Sequence, residues 1–68
     1  MELAKKVRAC FQARQSTALA PKDVLAELES QFGLKNGGNL RARVQELEGY
    51  VFNAVGNGQN RRYILIDT

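Results

Sequence analysis

The sequence predicts a single α+β domain, spanning residues 1–68, with three helices followed by a C-terminal β-hairpin. Two observations indicate this fold class. Apolar residues recur at helical spacing in three segments before Gly49, and beyond Gly49 the period shortens to about two residues, as in a strand. The chain is short, and its apolar fraction of 44% suffices for one small core.

The first helix is predicted over residues 2–14, where the apolar side chains form one stripe. This stripe contains Leu3, Val7, Cys10 and Phe11. The lone Cys10 is therefore expected to be a buried small hydrophobe. After a break in the pattern, residues 17–19 are predicted to form a very short strand that pairs with the hairpin.

The second helix is predicted over residues 21–32. Pro21 suits the first helical turn, where a backbone N–H has no partner within the helix. Gly33 can adopt the left-handed conformation that ends helices. The predicted buried face consists of Val24, Leu25, Leu28 and Phe32.

The third helix is predicted over residues 39–48, after a flexible turn over residues 34–38. Asn36 or Asn39 is expected to cap it, and Gly49 is expected to end it. Its predicted core stripe is Leu40, Val44 and Leu47. At 100° per residue, the face opposite the stripe consists of Gly38, Asn39, Ala42, Gln45 and Glu46.

The hairpin is predicted from strands at residues 50–55 and 60–66. The intervening residues 56–58 are Gly-Asn-Gly, which tolerate the positive φ values of tight turns. We expect Phe52, Tyr63 and Leu65 to face the core. A helix-turn-helix followed by such a hairpin is the layout of a winged helix-turn-helix, with the hairpin as the wing.

The charge distribution is uneven along the chain. The formal net charge is only +3, which permits contact with a polyanion without requiring it. Residues 1–14 and 35–66 each carry a net charge of +3, whereas residues 15–34 carry −2. The basic ends therefore flank an acidic middle helix.

Double-stranded DNA is the partner that this layout favours, with the third helix in the major groove. Asn39 and Gln45 can each form a bidentate pair with adenine, and Arg41 can do so with guanine. The predicted phosphate contacts are Lys35, Arg43, Arg61 and Arg62. Arg43 has a structural alternative, in which its guanidinium group pairs with Glu46 or Glu27.

Catalysis, cofactors and metals find no support in the sequence. The chain has no histidine, and its one cysteine excludes both an internal disulfide and a Cys/His zinc site. No nucleophile lies beside a base, and no glycine-rich phosphate loop is present. Without a signal peptide or a long apolar segment, the chain is expected to be cytoplasmic and not membrane-bound.

Several core and turn residues resemble those of small winged helix-turn-helix domains encoded by bacteriophages and prophages. The similarity covers roughly residues 4–66. It includes Phe32-Gly33, Leu40, Ala42-Arg43-Val44, Leu47, Gly49-Tyr50, Tyr63 and Leu65. The chain departs from the family in a longer turn over residues 34–39 and in Glu48, where a basic residue is usual. The resemblance implies a winged DNA-binding fold.

The expected function is therefore that of a small phage- or plasmid-encoded transcriptional regulator or recombination accessory factor. One module of this size would cover a single half-site, so we expect binding to require a homodimer or a cooperative array. The alternative is a protein-binding module on the same frame that binds or inhibits a host factor. Glu46, Glu48 and the small residues Gly38 and Ala42 favour this alternative, whereas Arg61 and Arg62 favour DNA.

Overall fold

A computed structural model describes residues 3–66, which form three helices and a small three-stranded antiparallel sheet. This architecture confirms the predicted α+β class. The elements follow one another as α1 (Leu3–Ala13), β1 (Ala18–Leu19), α2 (Pro21–Phe32), α3 (Gly38–Gln45), β2 (Phe52–Val55), a 3-10 turn (Gly58–Asn60) and β3 (Arg62–Leu65).

The last strand in chain order is the central strand of the sheet, whose order is β1-β3-β2. On one side Ala18 pairs with Ile64, and on the other Phe52 pairs with Leu65. The very short third strand predicted over residues 17–19 is confirmed as β1. Its pairing with β3 ties the connection between α1 and α2 to the hairpin.

The core receives apolar side chains from all three helices and from the sheet. Cys10 is buried as predicted, and Phe11 and Phe52 are fully buried with it. The rings of Phe52 and Tyr63 stack with their centroids 4.0 Å apart, which adds to the area that they bury. Leu65 is half-buried and packs at the edge of this cluster. The prediction that these three hairpin residues face inward is confirmed.

The predicted bounds of the second helix are confirmed. It begins at Pro21 and is followed by Gly33, whose φ of 69° lies in the left-handed region. The N–H of Gly33 donates to the carbonyl oxygen of Glu29, and that of Leu34 donates to the carbonyl oxygen of Leu28. These bonds satisfy carbonyl groups that the end of a helix leaves without partners.

The prediction of a third helix over residues 39–48 is wrong at both ends. The helix ends at Gln45, because the N–H groups of Leu47 and Glu48 bond to carbonyl oxygens three residues back and tighten the chain into turns. Gly49, at a φ of 88°, reverses the chain after these turns, and its N–H donates to the carbonyl oxygen of Phe52.

The predicted asparagine cap of that helix is also wrong. The residue that precedes the first helical turn is Gly37, in extended conformation, and it has no side chain with which to cap. Asn36 lies outside the cap position. Asn39 lies within the first turn, where helical backbone angles do not suit a capping side chain.

The hairpin strands are shorter than predicted, and the loop between them is longer. The hairpin loop (residues 56–61) contains the 3-10 turn, in which the N–H of Asn60 donates to the carbonyl oxygen of Asn57. Gly56 is required here, because a Cβ atom at this position would lie 2.5 Å from the carbonyl oxygen of Asn60. The loop therefore folds back on itself and presents a compact tip.

Within residues 3–66, no helix combines the length and the apolar character needed to cross a membrane.

Candidate functional site

An open cleft lies where the start of α2, one flank of α3 and the hairpin loop meet. Its volume is about 600 Å³. The residues that line it come from all three of these elements and from β3: Ala20, Pro21, Lys22, Leu25, Arg41, Val44, Gln45, Gly58, Gln59, Arg61 and Tyr63. Segments that are distant in sequence thus contribute to one concave surface.

The cleft is cationic. Lys22, Arg41 and Arg61 line it, and no carboxylate is found among its lining residues in the described part of the chain. The amide groups of Gln45 and Gln59 supply both donors and acceptors. Because a cleft with low-dielectric walls focuses the field of its charges, this concave surface favours an anionic partner.

The first turn of α2 separates its charges between two sides of the molecule. Lys22 lines the cleft, whereas the Asp23 carboxylate lies 4.0 Å from the guanidinium group of Arg14, the residue that follows α1. The Nε of Arg14 also donates to Glu27, at 2.5 Å. The acidic residues of α2 that face α1 are therefore paired there and do not neutralise the cleft.

Arg14, Asp23, Glu27 and Gln31 form the α1–α2 ion cluster, in which hydrogen bonds shift the pKa values of Arg14 and Glu27. The amide of Gln31 donates to Glu27 at 2.8 Å, and this bond and the bond from Arg14 lower the pKa of the Glu27 carboxyl group. The bond to Glu27 raises the pKa of Arg14. Both shifts favour the charged forms of the two groups.

The candidate base-contacting residues are divided between the two flanks of α3. Arg41 and Gln45 are four residues apart, so they share one flank, and both line the cleft. Asn39 is exposed but is not among the lining residues, and helical geometry places it on the other flank. The small residues Gly38 and Ala42 are exposed between the flanks, as predicted.

Arg43 shares the flank of Asn39, one turn further along α3. The alternative that its guanidinium group pairs with Glu46 or Glu27 is wrong for the described residues: Glu27 is bonded to Arg14, and Glu46 takes part in no ion pair there. Lys35 is exposed in the turn before α3, away from the cleft.

Arg61 and Arg62 are neighbours in sequence, but their guanidinium groups make different contacts. Arg61 lines the cleft, and its guanidinium group lies 3.6 Å from the carboxylate of Glu48. The exposed Arg62 instead donates from one guanidinium nitrogen to the carbonyl oxygens of Gln59 and Arg61, at 3.1 and 2.8 Å. The two arginines therefore do not make equivalent contacts.

Two cleft residues, Lys22 and Gln59, were not identified by the sequence interpretation. The sequence could have indicated Lys22, because it lies three residues before the buried Leu25 near the start of α2. At this spacing the two side chains share a side of the helix. No sequence pattern could have indicated Gln59, because it belongs to an irregular loop whose 3-10 turn has no distinctive sequence pattern.

The described residues offer neither a metal site nor a reactive thiol. Within residues 3–66, no three histidine, cysteine or acidic residues cluster as a metal would require. Cys10 is buried, and burial above all raises the pKa of its thiol to about 11. This thiol is therefore protonated at neutral pH and unsuited to nucleophilic chemistry.

No protein-family model, characterised protein or solved structure matches this chain.

Proposed function

We propose that the chain is a winged helix-turn-helix domain that binds double-stranded DNA, with α3 in the major groove and the hairpin loop as the wing. The observation that carries this proposal is the cationic cleft, in which Arg41 and Gln45 of α3 lie on the same side as Arg61 of the hairpin loop. The element order and the β1-β3-β2 sheet are compatible with this fold.

The shape of α3 supports docking in a groove. An α-helix with its side chains is about 10–12 Å across, which fits the width of the major groove, and α3 is a short helix of eight residues. The small residues Gly38 and Ala42 at its outermost line allow close approach. With that line facing the base pairs, Arg41 and Gln45 reach the bases from one flank and Asn39 reaches them from the other.

Phosphate contacts would come from residues around α3. Lys22 and Arg61 line the cleft and are placed to meet one sugar-phosphate strand, with Lys22 added to the set expected from the sequence. Arg43 and Lys35 are exposed and available to the other strand. Arg62 contributes less, because its guanidinium group is bonded to carbonyl oxygens of its own loop.

The biological role follows from the resemblance to phage and prophage domains. It is that of a phage- or plasmid-encoded transcriptional regulator or recombination accessory factor acting in the cytoplasm. A single α3 covers one half-site, so the active species is a homodimer or a cooperative array on DNA.

The proposal is tested by titrating a fluorescently labelled duplex of mixed sequence with the protein at several salt concentrations. We expect the logarithm of the binding constant to fall linearly with the logarithm of salt concentration, by about 0.9 for each phosphate neutralised. Arg41→Ala and Lys22→Ala should each weaken binding, by roughly threefold to tenfold at low salt.

Lys5→Ala is the matched control, because Lys5 is an exposed cation on α1 that does not line the cleft. It removes the same formal charge and should change the affinity by less than the cleft variants do. Equal losses for all three variants would assign binding to net charge alone. Absence of duplex binding at about 50 mM salt would overturn the DNA-binding proposal.

A protein-binding domain is the second candidate function. It is favoured by two large apolar side chains that are exposed on the surface, Tyr50 at 75% and Val55 at 49%. Aromatic residues of this kind are enriched at protein interfaces. If the duplex titration fails, Tyr50→Ser against Tyr50→Phe would test whether this ring holds a host protein recovered with the chain.

A further inference from the structure

We infer that Glu48 is a built-in counter-ion that limits how strongly Arg61 contributes to sequence-independent DNA binding. This inference rests on the proposed function and assigns a regulating residue to the same site. It is carried by the 3.6 Å separation between a terminal guanidinium nitrogen of Arg61 and a carboxylate oxygen of Glu48. Among residues 3–66, Glu48 is the acidic residue that forms an ion pair with a cation of the cleft.

The backbone around Glu48 holds the carboxylate near Arg61. The N–H of Glu48 donates to the carbonyl oxygen of Gln45 at the end of α3. Glu48 also forms an isolated bridge with Phe52, next to the 2.7 Å bond from the N–H of Gly49 to the carbonyl oxygen of Phe52. The turn after α3 is thus fixed to the start of β2, and its acidic side chain reaches the hairpin loop.

The ion pair is accessible enough to open when a phosphate arrives. The side chains of Arg61 and Glu48 are 35% and 50% exposed, so water and salt screen their attraction. A phosphate that approaches Arg61 competes with the carboxylate of Glu48 for the same guanidinium group. The negative charge of that carboxylate also repels the phosphate. Glu48 therefore reduces the net number of charges that this part of the protein offers to a duplex.

This arrangement lowers affinity for every sequence, because a phosphate contact carries no sequence information. Non-specific binding depends almost entirely on phosphate neutralisation, so it loses the largest share of its free energy. A specific complex is additionally held by base contacts of α3. Because the same phosphate contact of Arg61 is weakened in both complexes, Glu48 lowers both affinities and leaves their ratio nearly unchanged.

The test compares Glu48→Gln with Glu46→Gln in the labelled-duplex titration. Both variants remove one negative charge from exposed neighbouring positions, but Glu46 takes part in no ion pair within residues 3–66. We expect Glu48→Gln to strengthen binding to a mixed-sequence duplex by roughly twofold to fivefold and to steepen the salt slope by about one. Glu46→Gln should produce a smaller gain and leave the slope nearly unchanged.

An Arg61→Ala background makes the test specific to the ion pair. In that background, Glu48→Gln and Glu46→Gln should change the duplex affinity and the salt slope by similar amounts, because the cation that Glu48 neutralises is absent. If the wild type binds the duplex but Glu48→Gln binds no better than Glu46→Gln, or binds more weakly, the counter-ion role is overturned and the DNA-binding proposal stands. If neither the wild type nor Glu48→Gln binds, both fail.

Discussion

Two regions of this small domain use their charges in opposite ways. Where α1 meets α2, Arg14 is paired with Glu27 and lies near Asp23, and Gln31 adds a further hydrogen bond to Glu27. In the cleft, Lys22 and Arg41 face an open space that no carboxylate lines among the described residues. The charge of Arg14 is therefore compensated within the fold, whereas Lys22 and Arg41 form no ion pair within residues 3–66.

The comparison shows that the net charge of the chain is a poor guide to where positive charge is left uncompensated on its surface. A formal charge of +3 is modest, but the α2 carboxylates that could reduce the local potential are held against α1. Glu48 is the exception, because it reaches Arg61 from the turn after α3. Variants in the core, in the cleft and in the α1–α2 ion cluster test this picture.

The largest expected effect concerns the core beneath both regions. Phe52→Ala removes a fully buried ring that stacks on Tyr63, and it should lower the free energy of unfolding by about 3–5 kcal/mol. Urea denaturation would measure the loss, which approaches the whole stability expected of a domain of this size. Val55→Ala, at an exposed position of the same strand, is the control and should cost much less. Similar costs for the two variants would contradict the assigned core.

The second prediction separates the two adjacent arginines of the hairpin. Arg61→Ala removes a cation from the cleft and should weaken duplex binding by roughly threefold to tenfold at low salt. Arg62→Ala removes an equal charge whose guanidinium group is bonded to loop carbonyl oxygens, and it should change affinity by less. Fluorescence anisotropy on one duplex would compare them. A greater loss for Arg62→Ala would contradict the assignment of the phosphate contact to Arg61.

The smallest expected effect is a pH dependence of stability that arises in the α1–α2 ion cluster. The pKa of Glu27 is lowered in the folded state below its ordinary value of 4.5. Its stabilising contribution is therefore complete above that value and is lost as the pH falls through the lowered pKa. The melting temperature of the wild type should exceed that of Glu27→Gln at neutral pH, and this difference should shrink at about pH 3.

The acid titration isolates Glu27 because all other carboxylates titrate in both proteins. A difference in melting temperature that stays constant from neutral to acidic pH would show that Glu27 acts through packing and not through its charge. Duplex binding at neutral pH should be similar for the wild type and Glu27→Gln, since the α1–α2 ion cluster and the cleft have no charged residue in common.

The elements that the sequence predicted well are those whose signals are local. Pro21 and Gly33 act on their own backbone, and they bound α2 correctly. The third helix was misjudged because its apolar pattern continues through Leu47, whereas the backbone leaves the helix after Gln45 to reach the start of β2. Hydrophobic period alone does not distinguish a last helical turn from a tighter turn with the same spacing.

The candidate site was predictable only in part, because a cleft is a product of tertiary structure. Arg41 and Gln45 could be placed on one helical flank from their spacing of four residues. That Lys22 joins them depends on how α2 packs against α3. The different contacts of Arg61 and Arg62 depend on the path of the hairpin loop. The separation of Asp23 from Lys22 depends on Arg14, which follows α1 and pairs with Asp23.

The position of β3 in the middle of the sheet has a consequence for how folding and recognition are linked. Its partner β1 lies near the other end of the described chain, so a long loop must close before the three strands assemble, and this step is slow compared with helix formation. Arg61 takes its place in the cleft only when β3 has docked. The proposed binding surface is therefore incomplete in a partly folded chain. An anion bound to it would stabilise the folded state as a whole.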